Sequence, residues 1–358
     1  MNISYSEIDT YKRCKMRHFY SYLTLLEPKA PNWDLILGSA VHYGLERHYG
    51  YGESAETAIY RYLALLWQEY SSDERVGWGD RVELRMHAEL AVAMVTHYAA
   101  WMERTQPFHL LAVEQRFTVP IPGTDHTFSG IIDGIAHKDD GSLWIVEYKT
   151  KKTFPEFDHL ILNEQSALYQ WAAQTLLDEG KLVPSNGMYA GHVLRPSQRF
   201  AGVQFVMLKK VMPEPPPLLQ SGKLSQNKAM TTTPDLYRAA IAKHGMQERD
   251  YQQFLAYLDG QSDTLIRVDE YPRTEAELSI MARALTIVAR EMATMERDPE
   301  YAEAYPSPSF FCKTCPFLTV CNLFHTGGDE ESALEQHYQK RKSRSEQRAS
   351  IQALEEAL

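Results

Sequence analysis

The chain has 358 residues, 44% of them hydrophobic, and a formal net charge of −10 at pH 7. This length and apolar content suffice for one large domain or two modest ones, each with a packed core. The acidic balance argues against a surface coated for non-specific nucleic-acid binding, although a local basic groove or bound cations can override the overall sign. No segment has the apolar length of a membrane span or of a signal peptide, so we expect a cytoplasmic protein without membrane contact.

Helical patterns dominate the first hundred residues. Residues 3–26 predict a helix capped by Ser4 or Ser6. The stretch "LILGSAVHYGLERHYG" predicts a second helix that begins after a glycine and carries His42 in its first turn. Residues 54–70 and 80–105 also have helical periodicity. A helical block therefore precedes the strands.

From Phe108 the pattern changes to three successive strands, separated by turns at Pro122-Gly123 and at Asp139-Asp140-Gly141. A helix is predicted over 159–180, with Gly180 at its C-terminal end. Further elements follow in chain order: strands at 187–195 and 202–210, a proline-rich loop at 213–234, helices at 235–258 and 274–297, and a charged helical tail at 329–358.

The hairpin carries charged residues where apolar ones would seal a core better. Side chains alternate across a strand, so Glu147 and Lys149 share one face, and Asp133 on the preceding strand can lie beside them. Two neighbouring carboxylates repel unless a cation lies between them, and oxygen ligands suit Mg²⁺ or Mn²⁺. A salt bridge between Lys149 and one acid is the structural alternative. The spacing of all three residues favours a catalytic metal site.

These motifs resemble the PD-(D/E)XK nuclease superfamily, and the residues around them resemble its RecB-like exonuclease branch. The resemblance rests on Asp133, on the triplet Glu147-Tyr148-Lys149, on His42 in "GSAVH", and on Gln165 and Tyr169 in "QSALY". It implies an α/β fold with a restriction-endonuclease-like core, in which helices flank a central mixed sheet. It also implies one nuclease domain over 1–328, with a helical insertion at 45–108 and the tail at 329–358.

The same resemblance assigns roles to these residues. His42, Asp133, Glu147 and the carbonyl of Tyr148 would bind one or two Mg²⁺ or Mn²⁺ ions, which would activate a water molecule. Lys149 would orient or deprotonate that water. Gln165 and Tyr169 lie four residues apart, so they would face the site from one side of a helix and would hold either the nucleic-acid strand or the residues around the metal ligands. Glu114, on the strand "LLAVEQRF", is a weaker candidate for a second metal or a supporting contact; a surface carboxylate is an equal alternative.

The four cysteines, Cys14, Cys312, Cys315 and Cys321, do not have the pattern of a disulfide framework. One N-terminal cysteine followed by a C-terminal group of three resembles the iron–sulfur staple of some RecB-like nucleases. That resemblance implies a structural [4Fe–4S] cluster, which takes four cysteine ligands and would join the two ends of the domain. Zinc uses the same ligands and remains the alternative.

We therefore expect a metal-dependent DNA exonuclease that acts on single-stranded DNA or DNA ends in recombination, repair, phage replication or CRISPR-linked processing. The alternatives are a non-catalytic iron–sulfur protein that binds DNA or supports assembly, and a structure-specific or RNA-directed endonuclease. Lys223 and Lys228 in "SGKLSQNK" are candidate phosphate contacts, in a loop that lacks the first glycine and the hydroxyl residue of a Walker A motif. Because no helicase or ATPase motif is present elsewhere, any DNA unwinding would require a helicase or recombination partner.

Overall fold

The computed structural model describes residues 1–30, 32–70, 77–154, 160, 162–195, 198–260, 265–297 and 306–341. The chain divides into two compact units. Unit 1 consists of Met1–Asn32, Arg116–Gly130 and Thr274–Leu358, and unit 2 consists of Trp33–Gln115 and Ile131–Arg273. Within the described parts of the chain, no helix is both long enough and apolar enough to span a membrane.

Unit 2 contains a β-sheet and the helices that pack on it. Its helices are α3 (Trp33–Leu45), α4 (Ala55–Tyr70), α5 (Trp78–Thr105), α6 (Glu164–Asp178), α7 (Pro234–Lys243) and α8 (Gln252–Asp259). Its strands are β3 (His109–Pro120), β4 (Thr127–His137), β5 (Leu143–Lys151), β6 (Phe200–Lys209) and β7 (Ile266–Pro272), and the unit boundary divides β3 and β4.

The predicted central mixed sheet flanked by helices is confirmed. Strand β4 pairs with β3 and, in antiparallel orientation, with β5; β5 pairs in parallel with β6, which pairs antiparallel with β7. The β4–β5 hairpin has the predicted turn, in which Gly141 has a φ of 82° and Asp140 accepts a hydrogen bond from the backbone of Ser142. This turn places the two strands that carry the predicted acids side by side.

The helices α3, α4 and α5 cover one face of this sheet. Val146 and Tyr148 of β5 belong to the same buried apolar cluster as Leu37 and Val41 of α3. The approach of α3 to α4 is close, since a Cβ atom added to Gly44 would lie 2.7 Å from the Ile59 side chain. The segment predicted as a helical insertion is thus part of the core that supports β5.

Helix α6 packs against β5 and β6. It begins after Asn163, whose side chain accepts a hydrogen bond from the backbone N–H of Ser166, as an N-cap residue does. Gly180, just beyond its end, has a φ of 65°, which agrees with the glycine stop that the sequence predicts. The alanine-rich buried face of this helix, including Ala172 and Ala173, allows a close approach to the sheet.

Several predictions about unit 2 were wrong. Helix α3 begins at Trp33, so His42 lies in its last turns rather than its first. Residues 187–195 contain turns and no strand, because Gly187 and Gly191 have φ values of 77° and 79°, which suit turns. The helix predicted over 235–258 is interrupted near Gly245, and β7 was not predicted at all.

Unit 1 contains α1 (Tyr5–Arg13), α2 (Lys15–His18), α9 (Glu275–Arg297), α10 (Leu318–Thr326) and α11 (Glu330–His337). Its short strands are β1 (Asn2–Ser4), β2 (Leu26–Pro28) and β8 (Tyr338–Lys340). Strand β1 pairs in parallel with the first residues of β4. The single helix predicted over 3–26 is wrong, because residues 2–4 pair as a strand and Cys14 has an extended backbone, with φ −164° and ψ 115°.

The first part of the charged tail is packed and not fully solvated. Strand β8 pairs with β2, and Tyr338 is buried against Phe317 and Met16. Tyr20 donates a hydrogen bond of 2.7 Å to Glu330 of α11. The tail was predicted as one helix, yet this helix ends at His337; residues 342–358 lie outside the described residues.

Candidate active site

Three side chains from α3, β3 and β4 converge in unit 2. The Nδ1 atom of His42 lies 3.3 Å from Oε1 of Glu114 and 3.5 Å from Oδ1 of Asp133. Their potential ligand atoms all lie within 4.8 Å of one another, and each side chain is partly exposed. Among the described residues, this is the one group of three or more histidine, cysteine or acidic side chains with such spacing. The arrangement can accommodate a cation from solvent.

The position of Asp133 follows from the hairpin. The backbone pairing of β4 with β5 extends as far as Gly134, which pairs with Val146. One residue further along, the Oδ2 atom of Asp133 accepts a hydrogen bond of 2.9 Å from the backbone N–H of Tyr148. This hydrogen bond to the neighbouring strand holds the Asp133 carboxylate on the side of β5 that carries Glu147.

Glu114 has a left-handed backbone conformation, with a φ of 48°, in the middle of β3. Such a conformation costs about 1–3 kcal/mol for a residue other than glycine and occurs frequently at functional sites. The side-chain amide of Asn186 stabilises it, because it accepts from the N–H of Val113 at 3.0 Å and donates to the C=O of Val113 at 2.7 Å. Gln115 is also held, since its Oε1 accepts from the backbone of Ser185.

Asn186 is a residue that the sequence reasoning missed. It is 5% exposed and forms a pair of hydrogen bonds with Val113, immediately before Glu114. The Asn186-Gly187 dipeptide was the available signal, because such a pair marks a tight turn. That signal indicates a turn but not the strand to which the asparagine binds.

Glu147 and Lys149 form an ion pair on β5. The ammonium of Lys149 lies 2.5 Å from Oε1 of Glu147. Glu147 is only 2% exposed, and its second oxygen, Oε2, is buried without a hydrogen-bond partner among the described residues. Leaving a buried polar atom unsatisfied costs about 1–3 kcal/mol, so this oxygen is available to a ligand. The salt-bridge alternative therefore accounts for one oxygen of Glu147 and leaves the other unexplained.

The electrostatics of this site also favour a cation. Burial and the negative charge of Glu147 together raise the pKa of Asp133 to about 7. Burial alone would lower the pKa of His42, but the charges of Asp133 and Glu114 outweigh it and raise this pKa to about 9. In the absence of a metal ion, protons are thus favoured where a cation would otherwise balance the carboxylates. The orphaned oxygen and the mixed oxygen–nitrogen donor set fit Mg²⁺ or Mn²⁺.

The structure places the other predicted site residues in different ways. The side chain of Tyr148 is buried on the helix-covered face of the sheet, where its hydroxyl lies 3.1 Å from that of Tyr98. Tyr169 is buried and Gln165 is half-buried on α6. The roles predicted for the Tyr148 carbonyl, Gln165 and Tyr169 remain predictions.

Lys223 and Lys228 lie in the proline-rich loop, and both are exposed. The ammonium of Lys228 lies 4.7 Å from the centre of the Tyr257 ring, in a cation–π contact. This loop is anchored and not merely an excursion, because Leu224 is buried and its N–H donates to the hydroxyl of Tyr251. The phosphate contact expected of Lys223 and Lys228 remains a prediction.

The four cysteines all lie in unit 1 as free thiols. They are not drawn together into a metal-binding group: within the described residues, no three of their sulfurs lie within 4.8 Å of one another. Four thiolates on one zinc ion would lie about 3.8 Å apart, given zinc–sulfur bonds of about 2.3 Å in a tetrahedron. The predicted iron–sulfur staple is therefore not confirmed.

Comparison with protein-family models gives one result that spans both units. The model of the PD-(D/E)XK nuclease superfamily matches residues 2–322, a range that includes every site residue predicted above. No curated protein matches the chain at a significant level. The central mixed sheet agrees with the core of that superfamily, as does the hairpin that carries Asp133 and Glu147. The chain therefore belongs to the PD-(D/E)XK nuclease superfamily.

Proposed function

We propose that this protein is a metal-dependent nuclease that hydrolyses phosphodiester bonds of DNA, with the site around His42 and Asp133 as its active centre. One observation carries the proposal: the group of His42, Glu114 and Asp133 lies in the same unit as the buried Glu147, whose Oε2 has no partner among the described residues. A protein that used these acids only for stability would not need to gather two of them around one histidine and leave the buried Oε2 of Glu147 without a partner among the described residues.

The residues that would hold a divalent cation are His42, Asp133 and Glu147, together with the carbonyl of Tyr148. Glu114 lies close enough to Asp133 to serve a second ion or to orient His42. Mg²⁺ or Mn²⁺ bound there would supply Lewis acidity toward the scissile phosphate and toward a water molecule.

The chain's own groups would then orient the water, stabilise the developing charge and hold His42 in position. The ammonium of Lys149 already donates to Glu147 at 2.5 Å, so it can orient an attacking water next to the carboxylates. The same positive charge stabilises the charge that develops on the phosphate. His42 receives its orientation from Glu114 and Asp133, as metal-binding histidines commonly do from neighbouring carboxylates.

Glu147→Gln and Lys149→Ala test this assignment. Each variant is compared with the wild type on end-labelled single-stranded DNA with Mn²⁺, and Lys243→Ala is the control for an exposed lysine outside the site. We expect both site variants to lose cleavage while they keep the circular dichroism spectrum and melting behaviour of a folded protein. Full activity in both variants would refute the assignment.

The finer part of the proposal is exonuclease action on single-stranded DNA or DNA ends, within the RecB-like branch. The order of His42, Asp133, Glu147-Tyr148-Lys149, Gln165 and Tyr169 along the chain supports it. Linear and circular single strands of equal length separate the two modes, since an exonuclease leaves the circle intact. Cleavage of the circle at the same rate would instead assign an endonuclease, and cleavage of RNA alone would replace DNA as the substrate.

A [4Fe–4S] staple in unit 1 is also part of the proposal. It is supported by the four cysteines and by their electrostatic influence on one another: burial raises the pKa of Cys321, and so would the charges of Cys14, Cys315 and Cys312. Each thiolate of such a cluster binds a different iron, so the sulfurs need not lie as close as they do around zinc. Anaerobic purification should give brown protein with iron and sulfide; colourless protein with one equivalent of zinc would exclude it.

A further inference from the structure

The carboxyl ends of the parallel strands β5 and β6 carry a group of lysines. We call this group the lysine edge; its members are Lys149, Lys151, Lys152, Lys209 and Lys210. The group is notable because the whole chain carries a net charge of −10. It lies in unit 2, on the strand that carries Glu147 and on its neighbour.

Two lysines of the lysine edge share a face of the sheet with the candidate active site. Alternation along β5 puts Lys151 on the same face as Glu147 and Lys149. In the parallel register, Lys151 is the partner of Lys209, so both side chains leave the sheet on that face. Two residues of a strand span about 6.6 Å, which is close to one nucleotide step of an extended single strand.

The lysines differ in whether a carboxylate balances them. Lys210 lies 2.8 Å from Asp34, and Lys152 lies 3.9 Å from the same carboxylate. No carboxylate among the described residues forms an ion pair with Lys151 or Lys209. Uncompensated positive charge therefore remains on the face that carries Glu147.

The backbone holds the lysine edge in place. The N–H of Lys210 donates to the C=O of Lys151 at 2.8 Å, and the N–H of Lys209 donates to Leu265 at 2.9 Å. Burial lowers the pKa of Lys151, and the positive charges of Lys149 and Lys210 lower it further. An anion bound between these groups would relieve their repulsion.

We propose that Lys151 and Lys209 form a phosphate-binding subsite for the phosphodiester next to the scissile one in a single strand of nucleic acid. The inference rests on the proposed function, since the scissile phosphate is placed at Glu147 and Lys149. The ligand is a backbone phosphate and not a base, so the subsite contributes affinity and register without sequence preference.

Binding without cleavage tests the subsite independently of catalysis. A fluorescein-labelled oligothymidylate is titrated with the protein in EDTA, and anisotropy is recorded at several salt concentrations. We expect Lys151→Gln/Lys209→Gln to weaken binding and to reduce the salt slope by about 1.4, since each contact to a single strand contributes about 0.7. The matched control Lys181→Gln/Lys243→Gln, which changes two exposed lysines of the same unit, should leave both quantities unchanged.

Oligonucleotides with one methylphosphonate at a defined position locate the contact. Removing the charge of a phosphate lowers the binding free energy, and so does the double lysine variant. If the two lysines bind that phosphate, the two reductions are not additive at its position. The assignment of the subsite would be refuted if the reductions in binding free energy were additive at every position, or if the control variant weakened binding equally. Lys151→Arg/Lys209→Arg should restore affinity, which a purely structural role would not require. Failure of the proposed function appears separately, as wild-type protein that binds the strand but does not cleave it with Mn²⁺.

Discussion

The acidic group of unit 2 and the cysteine group of unit 1 were both predicted from spaced motifs, but they differ in how closely their potential ligand atoms lie in the structure. The potential ligand atoms of His42, Glu114 and Asp133 all lie within 4.8 Å of one another, whereas no three of the four thiols lie so close. The acids Glu114 and Asp133 project from paired strands, and Asp133 is tied to the backbone of Tyr148. The thiols lie on loops and short helical segments, so a bound cluster itself would have to draw them together. Strand pairing preorganises a site; sequence spacing alone does not.

We expect the largest effect from a substitution that removes one carboxylate of the acidic group. Asp133→Asn removes a carboxylate that contacts His42, and we expect cleavage to fall by at least about 10³-fold, equivalent to about 4 kcal/mol. The folded protein should not lose stability at pH 8, because burial and Glu147 already oppose the charged form of Asp133. Steady-state cleavage of labelled DNA and thermal unfolding measure the two effects. A variant with both low activity and a strongly lowered melting temperature would contradict the division between function and stability.

The cysteine group provides the contrasting variant. If unit 1 holds a cluster, Cys14→Ser/Cys321→Ser should lose iron and lower the melting temperature by about 10 °C, because the joined ends of the unit separate. Binding of Mn²⁺ to the acidic group should change little, since its residues belong to unit 2. Iron analysis, calorimetry and Mn²⁺ titration are the measurements. Unchanged melting in an iron-free wild type would mean that the thiols are only packing residues.

Asn186→Ala tests the support of Glu114. The substitution leaves the buried N–H and C=O of Val113 without partners, and we expect a loss of about 2–4 kcal/mol in the free energy of unfolding. Affinity for Mn²⁺ should fall by about 10–100-fold, as it does when a supporting residue of a metal site is removed. Asn227→Ala is the control, because its side chain supports only an exposed turn at Ala229. Equal effects of both substitutions would show that Asn186 has no special relation to the site.

The mildest test changes no residue and follows the pH dependence of metal binding. Without metal, the raised pKa of His42 favours its charged form below about 9, and the raised pKa of Asp133 favours its neutral form below about 7. Both raised pKa values stabilise the metal-free protein at low pH, and this stabilisation is lost as pH rises. For Asp133 the loss takes place between about pH 4 and pH 7. Mn²⁺ must displace these protons, so its affinity should rise by nearly a hundredfold per pH unit near pH 6, where both groups are protonated, and by about tenfold per pH unit near pH 8, where only His42 is. Calorimetric titration checks this slope, and a flat profile would exclude proton competition at these residues.

Local patterns were sufficient for the elements that carry the site. Alternation along β5 predicted that Glu147 and Lys149 share a face, and the turn residues predicted the hairpin that brings Asp133 beside them. The predicted start of α3 was wrong, because Gly38 resembled a helix start although the helix continues through it from Trp33. Strand β7 was missed because its alternation of apolar and polar residues is weak.

Other parts of the site depend on contacts between residues far apart in the chain. Glu114 lies beside His42, from which it is 72 residues away in the chain, and Asn186 binds Val113, which is 73 residues away. The tail was predicted as a charged helix, yet Tyr338 packs against Met16 and Tyr20, near the N-terminus. A single sequence contains no local signal for such pairings, since each depends on the free energy of the assembled core.

The sequence by itself determined the family, the hairpin and the face on which Glu147 and Lys149 lie, because strand alternation and turn chemistry are local properties. Only the tertiary structure decided that Glu114 completes the group with His42 and Asp133, that Asn186 supports it, and that Lys209 lies opposite Lys151. These pairings arise from sheet register and buried hydrogen bonds, which no run of neighbouring residues specifies.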